Sequence, residues 1–529
     1  MVYHSQFRHR LKQPLDRAAL ITMAVLTIII VLLATVGDRT APQVRTFSWQ
    51  DKQIGADDNA LILSFTRPMN EASVEENFAL EALISDTERE RIPGRFSWAG
   101  RRMAYTLNSP APYGYEFELT LDSAFDRFSD NPEDEARLRP FQGTFQTRDR
   151  AFLYLGTTGD EEGRLVLHNL TQKTKRILTP ETLVVSDYEP YPNGDRVLFA
   201  ATDRASQEQG LFNQQLYAVS TGITVDPPVP ALGYSSEAAA ASVEEELAEG
   251  EVRLILDSVD YQNLKFDLSA DGQTIVIYRV NRQNPAEFGL WVLRAGQDPE
   301  PLSTEPGGDF LITPDSQAIA YLQGEGMAIF SLAQPDIQDA EEIDETKPLD
   351  FLPQFGLVLN FSRDGSAVAT VQFNRDPANP TRSLYLVTNR GEETELVETT
   401  GSILKAEFDP TGTFLYCLLT ELLPGDIYAE QPYLSAINLE TQERTDLLVL
   451  PIQQDIQMDV APDGLGILFD QIIAAQSPGE SSVLRSNDGQ LIESGQLWFF
   501  PIVLGDDGNP IQAEPKIISD EGLRPQWLP

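Results

Sequence analysis

Cysteine is almost missing from this chain: one residue, Cys417, in 529. No intramolecular disulfide can form, so the fold must rest on burial alone. Cys417 lies in the apolar run Phe414-Leu415-Tyr416-Cys417-Leu418-Leu419, where a thiol reads as a small buried hydrophobe rather than a reactive group. Histidine is nearly as scarce, with His4, His9 and His168 alone. A zinc centre needs clustered His or Cys ligands, which such a set cannot supply. A Ser-His-Asp site would have to use His168, and no G-x-S-x-G elbow presents a serine to it. The glycine-rich stretch from Gly156 to Gly163 lacks the lysine of a phosphate loop and reads as a hairpin connection. Positive charge is also short: 39 Lys and Arg against 81 Asp and Glu leave a formal net charge of -42. A surface that negative repels nucleic acid and anionic headgroups. It serves solubility first, with attraction of cations or a basic partner as the sharper reading.

What is present points to several globular parts. With 529 residues the chain is too long for one ordinary core, and 41% hydrophobic against 23% charged residues argues against wholesale disorder. Residues 18–36 form an apolar run interrupted only by threonines. As a helix it would span about 28 Å, close to a hydrocarbon core. Arg8, Arg10, Lys12 and Arg17 precede it, so the positive-inside rule predicts a cytoplasmic tail over 1–17, an uncleaved signal anchor over 18–37, and export of the remainder. Membrane attachment is thus expected through Ala18 to Val36. A cleaved signal peptide is the rival, but its apolar core should be shorter, and Ala34-Thr35-Val36-Gly37 is a poor cleavage site. Scarce cysteine suits export.

Residues 41–148 carry short alternating strands such as Ala60-Leu61-Ile62-Leu63-Ser64-Phe65 and Tyr115-Glu116-Phe117-Glu118-Leu119-Thr120-Leu121, the pattern of a β-sandwich. Leu63-Ser64-Phe65-Thr66-Arg67-Pro68-Met69-Asn70, followed by Ser73-Val74 and Phe78, resembles the opening of bacterial Ig-like domains of the surface-layer type. Thr144-Phe145-Gln146-Thr147 resembles their final strand. The resemblance implies a spacer or adhesion module without catalytic residues. Asp130 to Glu135 is an acidic loop that reads as a solvated turn, with calcium ligation as the alternative.

A turn phrase recurs through residues 149–529: Pro192-Asn193-Gly194, Ser269-Ala270-Asp271-Gly272, Thr313-Pro314-Asp315-Ser316, Ser362-Arg363-Asp364-Gly365, Pro410-Thr411-Gly412 and Pro462-Asp463-Gly464. A second strand motif recurs at Arg164–His168, Gln215–Val219, Gly289–Leu293, Gly326–Phe330, Ser383–Val387, Tyr433–Ile437 and Gln496–Phe500. Stacked supersecondary units leave this signature. The missing turn strand is supplied by Leu523 to Pro529, which would pair with Ala151–Leu155 and close a ring. This predicts an all-β chain in which the sandwich is followed by a seven-bladed β-propeller; six blades is the alternative if the unit at Thr313–Ser316 is degenerate. Each Asp-Gly reads as a turn former. Arg176-Ile177-Leu178-Thr179 and Pro525-Gln526-Trp527-Leu528-Pro529 resemble the TolB/WD40-like propeller family. That resemblance implies an envelope or periplasmic protein that binds an envelope protein partner at the propeller face or channel; the family also includes propellers that gate serine peptidases, which carry a separate hydrolase domain. The scarcity of catalytic residue types argues for a protein without enzymatic activity.

Two acidic excursions, Ser235–Glu251 and Gln334–Lys347, read as solvated decoration. The sequence singles out no catalytic, cofactor or metal residue and leaves the partner-binding residues open. The runner-up is a carbohydrate-active or other hydrolytic propeller using carboxylates in its channel.

Overall fold

The computed structural model describes residues 14–36, 41–85, 87–127, 137–211, 213–223, 250–324, 326–333, 348–374, 380–425, 428–453, 455–474 and 491–529. His4, His9, the tract Asp130–Glu135 and the excursion Gln334–Lys347 lie outside them, as does all of Ser235–Glu251 but its last two residues. Two compact units emerge. One comprises Met1–Gln50, Ala60–Thr106 and Phe117–Thr144; the other comprises Asp51–Asn59, Leu107–Glu116 and Phe145–Pro529.

In the smaller unit, Pro14–Val36 is a helix. Its described side chains, Ala18, Ala19 and those from Ile21 to Ile30, are all exposed. Among the described residues no helix is long and apolar enough to cross a membrane; residues 18–36 of the anchor expected over 18–37 are helical, and Gly37 lies outside the described residues. The rest is a sandwich of two sheets. Val44–Phe47, Ala60–Phe65, Arg102–Leu107 and Gly94–Ala99 form one; Phe141–Thr147, Glu116–Leu121, Phe78–Leu83 and Arg89–Arg91 lie in the other. Strict alternation buries Leu61, Leu63 and Phe65 on one face of their strand. Phe78 of one sheet meets Phe96 and Tyr105 of the other at ring separations of 5.2 and 4.6 Å, which seals the core. The Pro68-Met69-Asn70 motif has a local cause. Asn70 caps the helix Glu71–Asn77 by accepting from the Ser73 amide at 3.0 Å, and Val74 of that helix is wholly buried.

The larger unit is built by the turn phrase. In each copy the last residue has φ between +61° and +73° and its amide donates to the carbonyl three residues back, as Gly272 does to Ser269 and Gly464 to Ala461. That left-handed position is why glycine recurs. Ser316 takes it at φ +61° and still donates to Thr313 at 2.8 Å, so the weakest copy makes the same turn. The aspartate caps the turn from inside: Asp271, Asp315, Asp364 and Asp463 each accept the amide two residues on.

Each of these six turns joins two neighbouring strands of one sheet, and among the described residues the larger unit holds seven four-stranded antiparallel sheets. We number them by their innermost strands: Gly522–Trp527 (sheet 1), Leu183–Pro190 (2), Tyr261–Leu268 (3), Phe310–Ile312 (4), Leu357–Phe361 (5), Ile403–Phe408 (6) and Met458–Val460 (7). Sheet 1 takes its inner strand from the end of the chain, with Phe152 opposite Trp527 and Gly156 opposite Gly522. Successive inner strands touch around the ring, and Tyr188 of sheet 2 hydrogen-bonds the Arg524 carbonyl of sheet 1. The result is a β-propeller.

The strand that follows each turn phrase, second from the channel, is buried on both faces, as sheets 2 and 6 show. Val197, Phe199 and Ala201 pack toward sheet 1, while Leu198 and Ala200 pack toward sheet 3. Phe414, Tyr416 and Leu418 likewise face sheet 7, and Leu415, Cys417 and Leu419 face sheet 5. Hence these strands read as continuous apolar runs rather than alternating ones, and burial pushes the Cys417 thiol pKa well up.

Candidate functional site

The propeller's channel is bounded by its inner strands, and its chemistry lies five residues before the left-handed residue of each turn phrase. Glu189, Asp267, Leu311, Asn360, Glu407 and Asp459 occupy this position in sheets 2 to 7, and Gln526 stands at the corresponding place in sheet 1. Four of them are acids, and each reaches into the next sheet. Glu189 accepts from the Leu268 amide at 2.9 Å, Asp267 from Ile312 at 2.6 Å, Glu407 from Val460 at 2.8 Å and Asp459 from Trp527 at 2.6 Å. Lys265 and Lys405, two residues earlier, donate to carbonyls of the same neighbouring strands, Phe310 and Met458. A Lys-x-Asp or Lys-x-Glu unit therefore clamps both polar edges of the next inner strand. The seam from sheet 1 to sheet 2 differs because Pro190 has no amide hydrogen to offer. There Arg524 donates to the Ser186 carbonyl at 2.6 Å and pairs with Asp187 at 3.3 Å. The Arg524 amide is itself held by Asp470, which also accepts from Gln457.

Enclosure makes Glu189, Asp267, Asp459 and Asp470 weaker acids. Burial raises Glu189 well above the usual carboxylate range, and Asp267 adds repulsion. Burial raises Asp459 likewise, with Glu407 adding to it and Lys405 opposing. Asp267 and Asp470 are pushed up by burial to about 6, against the bonds that stabilise their charge.

At the turn end the channel widens into a cavity of about 360 Å³. Glu189, Asn360, Asp459, Trp527 and the guanidinium groups of Arg148 and Arg363 are among its lining. Segments 51–59 and 107–116, which belong to this unit, line it too through Asp57 and Tyr113. Arg148 donates to the carbonyls of Pro529 at 2.9 Å and Pro192 at 3.2 Å. Asp463 of the last turn phrase does more than turn the chain. Its second oxygen accepts from the Tyr113 amide at 3.0 Å and pairs with Arg150 at 2.5 Å. Asp463→Ala should therefore destabilise this unit by about 2–3 kcal/mol, more than loss of a turn cap alone. A shift in the urea midpoint of the detergent-solubilised chain reads this, and a cost under about 0.5 kcal/mol would reduce Asp463 to a turn former.

His168 stands elsewhere, in sheet 1. Its Nδ1 lies 2.5 Å from Asp520. Lys175 bridges Asp520 at 3.2 Å and Glu161 at 2.6 Å, and Tyr154 donates to Glu161 at 2.8 Å. Burial works to raise the Asp520 carboxyl, but His168 and Lys175 outweigh it and hold it below the usual range. This chain of bonds ties the segment before the closing strand to its sheet. Among the described residues no group of three or more His, Cys, Asp or Glu is placed to hold a metal ion. The stretch from Gly156 to Gly163 joins two strands of sheet 1 through a short 3-10 turn, Gly159–Glu161.

Sequence reading passed over the four channel acids. Their signal was available: an acid, twice with lysine two residues before it, at a fixed offset from the turn phrase.

No protein-family model matches the chain, and no curated protein does. Solved structures similar to it include TolB from Acinetobacter baumannii, at 10% identity and a TM-score of 0.37, covering 79% of this chain and 80% of that one. A putative TolB from Agrobacterium tumefaciens is similar at 12% identity and a TM-score of 0.34, over 58% and 91% of the two chains. A putative 6-phosphogluconolactonase from Bacteroides fragilis is similar at 12% identity and a TM-score of 0.39, over 72% and 98%.

Proposed function

We propose that this protein is an exported, membrane-anchored binding protein of the bacterial envelope. In this reading residues 18–37 anchor it, the sandwich is an Ig-like spacer, and the seven sheets are the blades of a TolB-like propeller that presents a surface to an envelope protein. The observation that supports it most is the channel-end cavity. It is concave, it draws its walls from inner strands of several sheets, and it mixes aromatic, guanidinium and carboxylate groups, the composition of a recognition site. The exposed apolar side chains from Ile21 to Ile30 support the anchor.

The test has two arms. Membranes should retain the chain after alkaline carbonate washing; recovery in the soluble fraction would remove the anchor. A photo-crosslinking amino acid at Asn360 should trap one defined envelope protein, while the same probe at the outer-strand residue Glu395 should not. Equal labelling from both positions would remove the cavity from the reading.

A second reading has one observation in its favour. Glu189 and Asp459 line the same cavity with their carboxyls held above the usual range, as a general acid requires. A carbohydrate-active enzyme would turn over envelope glycans and lose that turnover in Glu189→Gln. No turnover by the full chain across a glycan panel would discard it.

A further inference from the structure

The ring is fastened unevenly. Five seams carry a polar stitch between inner strands: sheets 6 to 7, 7 to 1, 1 to 2, 2 to 3 and 3 to 4. The two seams that flank sheet 5 do not. Leu311 and Asn360 stand where the acids stand elsewhere, and among the described residues neither bonds the amide of the next strand. Burial follows the same division. The inner strand of sheet 5, Leu357–Phe361, has no buried residue, whereas every other inner strand has at least one.

Sheet 5 has a tie of another kind. Arg363, in its turn phrase, donates to the Ala56 carbonyl at 3.2 Å and pairs with Asp57. Segment 51–59 is itself held in this unit: Gly55 packs against Arg148, the Ala56 amide donates to Tyr113 at 2.8 Å, and the Arg148 amide donates to Ile54 at 2.9 Å.

We propose that sheet 5 is the compliant blade of the ring and that segment 51–59 is the strap that restrains it, acting through Arg363. A ring stitched at every seam would move as one body, because displacing one inner strand would break bonds on both sides. With two adjacent seams unstitched, the inner strand of sheet 5 can shift relative to those of sheets 4 and 6, pivoting on the outer contacts that remain, where Thr399 donates to the Thr420 carbonyl of sheet 6 at 2.6 Å, and the strap's grip on Arg363 sets how often it does so. Asn360, Phe361 and Arg363 line the channel-end cavity, so that shift changes the cavity's width.

Hydrogen–deuterium exchange on the full chain in detergent tests this. In the wild type, peptides covering 357–361 should exchange faster than those covering 261–268 and 403–408. Arg363→Ala should speed exchange over 357–361 by about three- to fivefold, the size expected for one partly exposed ion pair with its hydrogen bond. Sheets 3 and 6 should be unchanged. Asp57→Ala is the second variant; its side chain is 81% exposed, so it removes the grip without touching the core. Sheet 5 protected as well as its neighbours in the wild type would overturn the compliant blade. Unchanged exchange in both variants, or acceleration spread evenly over all sheets, would overturn the strap.

Discussion

Replacing Trp527 with alanine should cost the propeller about 3–5 kcal/mol, the range for truncating a buried aromatic. Against a typical domain stability of about 5–15 kcal/mol that is a large share. Trp527 is 4% exposed and meets Phe152 and Phe499 edge-on, at ring separations of 5.9 and 6.1 Å. It thereby joins sheet 1 to sheet 7 across the seam where the chain's last strand closes the ring. Its backbone amide is also the one that Asp459 holds. A cavity at this point weakens the closing strand against both neighbours, and an opened ring exposes strand edges that invite association. Thermal unfolding should move down steeply, and proteolysis should first release the C-terminal strand. A cavity away from the closure, from Phe199→Ala at the seam of sheets 1 and 2, should destabilise without that early release. A Trp527→Ala cost under about 1 kcal/mol would mean that the closing strand is not a keystone.

The second large effect is a pH dependence of unusual sign for an acidic protein. Asp267 and Asp470 have folded-state values of about 6 against an ordinary 3.8, and Glu189 and Asp459 are raised as well. Between those limits the folded protein binds more protons than the unfolded chain, so stability falls as pH rises. The contribution is full below about pH 4 and lost by the time pH has passed through about 6. Two units at one site set a ceiling of about 3 kcal/mol; channel water lowers the expectation to about 1–2 kcal/mol. Asp267→Asn isolates one share. Asparagine can still accept from the Ile312 amide, while Lys265 keeps Asp309 as its partner. The variant should match the wild type near pH 4, exceed its stability at pH 7.5 and show a flatter profile between. A wild-type stability that rises steadily from pH 4 to 7 would contradict the buried carboxylates as drawn.

Much of the architecture was legible because it is written locally. A positive φ needs glycine, or a residue such as Ser316 that tolerates it, within four residues, and the two-faced burial of a second strand shows as a short apolar run. The helix start at Asn70, Ser73 and Val74 is equally local, although those residues entered the sequence reading only as part of a family resemblance. The channel chemistry was less legible. Glu189 and Leu268 are 79 positions apart in sequence, and nothing near either residue says that one will bond the other. Local reasoning made every Asp-Gly aspartate a turn former, and for Asp271, Asp315 and Asp364 the turn bond is present. Asp463 is different because Tyr113 and Arg150 arrive at its second oxygen from distant parts of the chain.

By itself, then, the sequence determined where the chain turns, which strands are buried on both faces, and that only the C-terminal strand was left to complete the first sheet. Those features depend on backbone sterics and on hydrophobic period, which act over a few residues. The tertiary structure alone decided which acids became stitches, which seams went without them and where guanidinium groups close on the channel. Those depend on which backbone amide the ring brings beside a given side chain, and burial there raised Glu189, Asp267 and Asp459 above the ordinary carboxylate range.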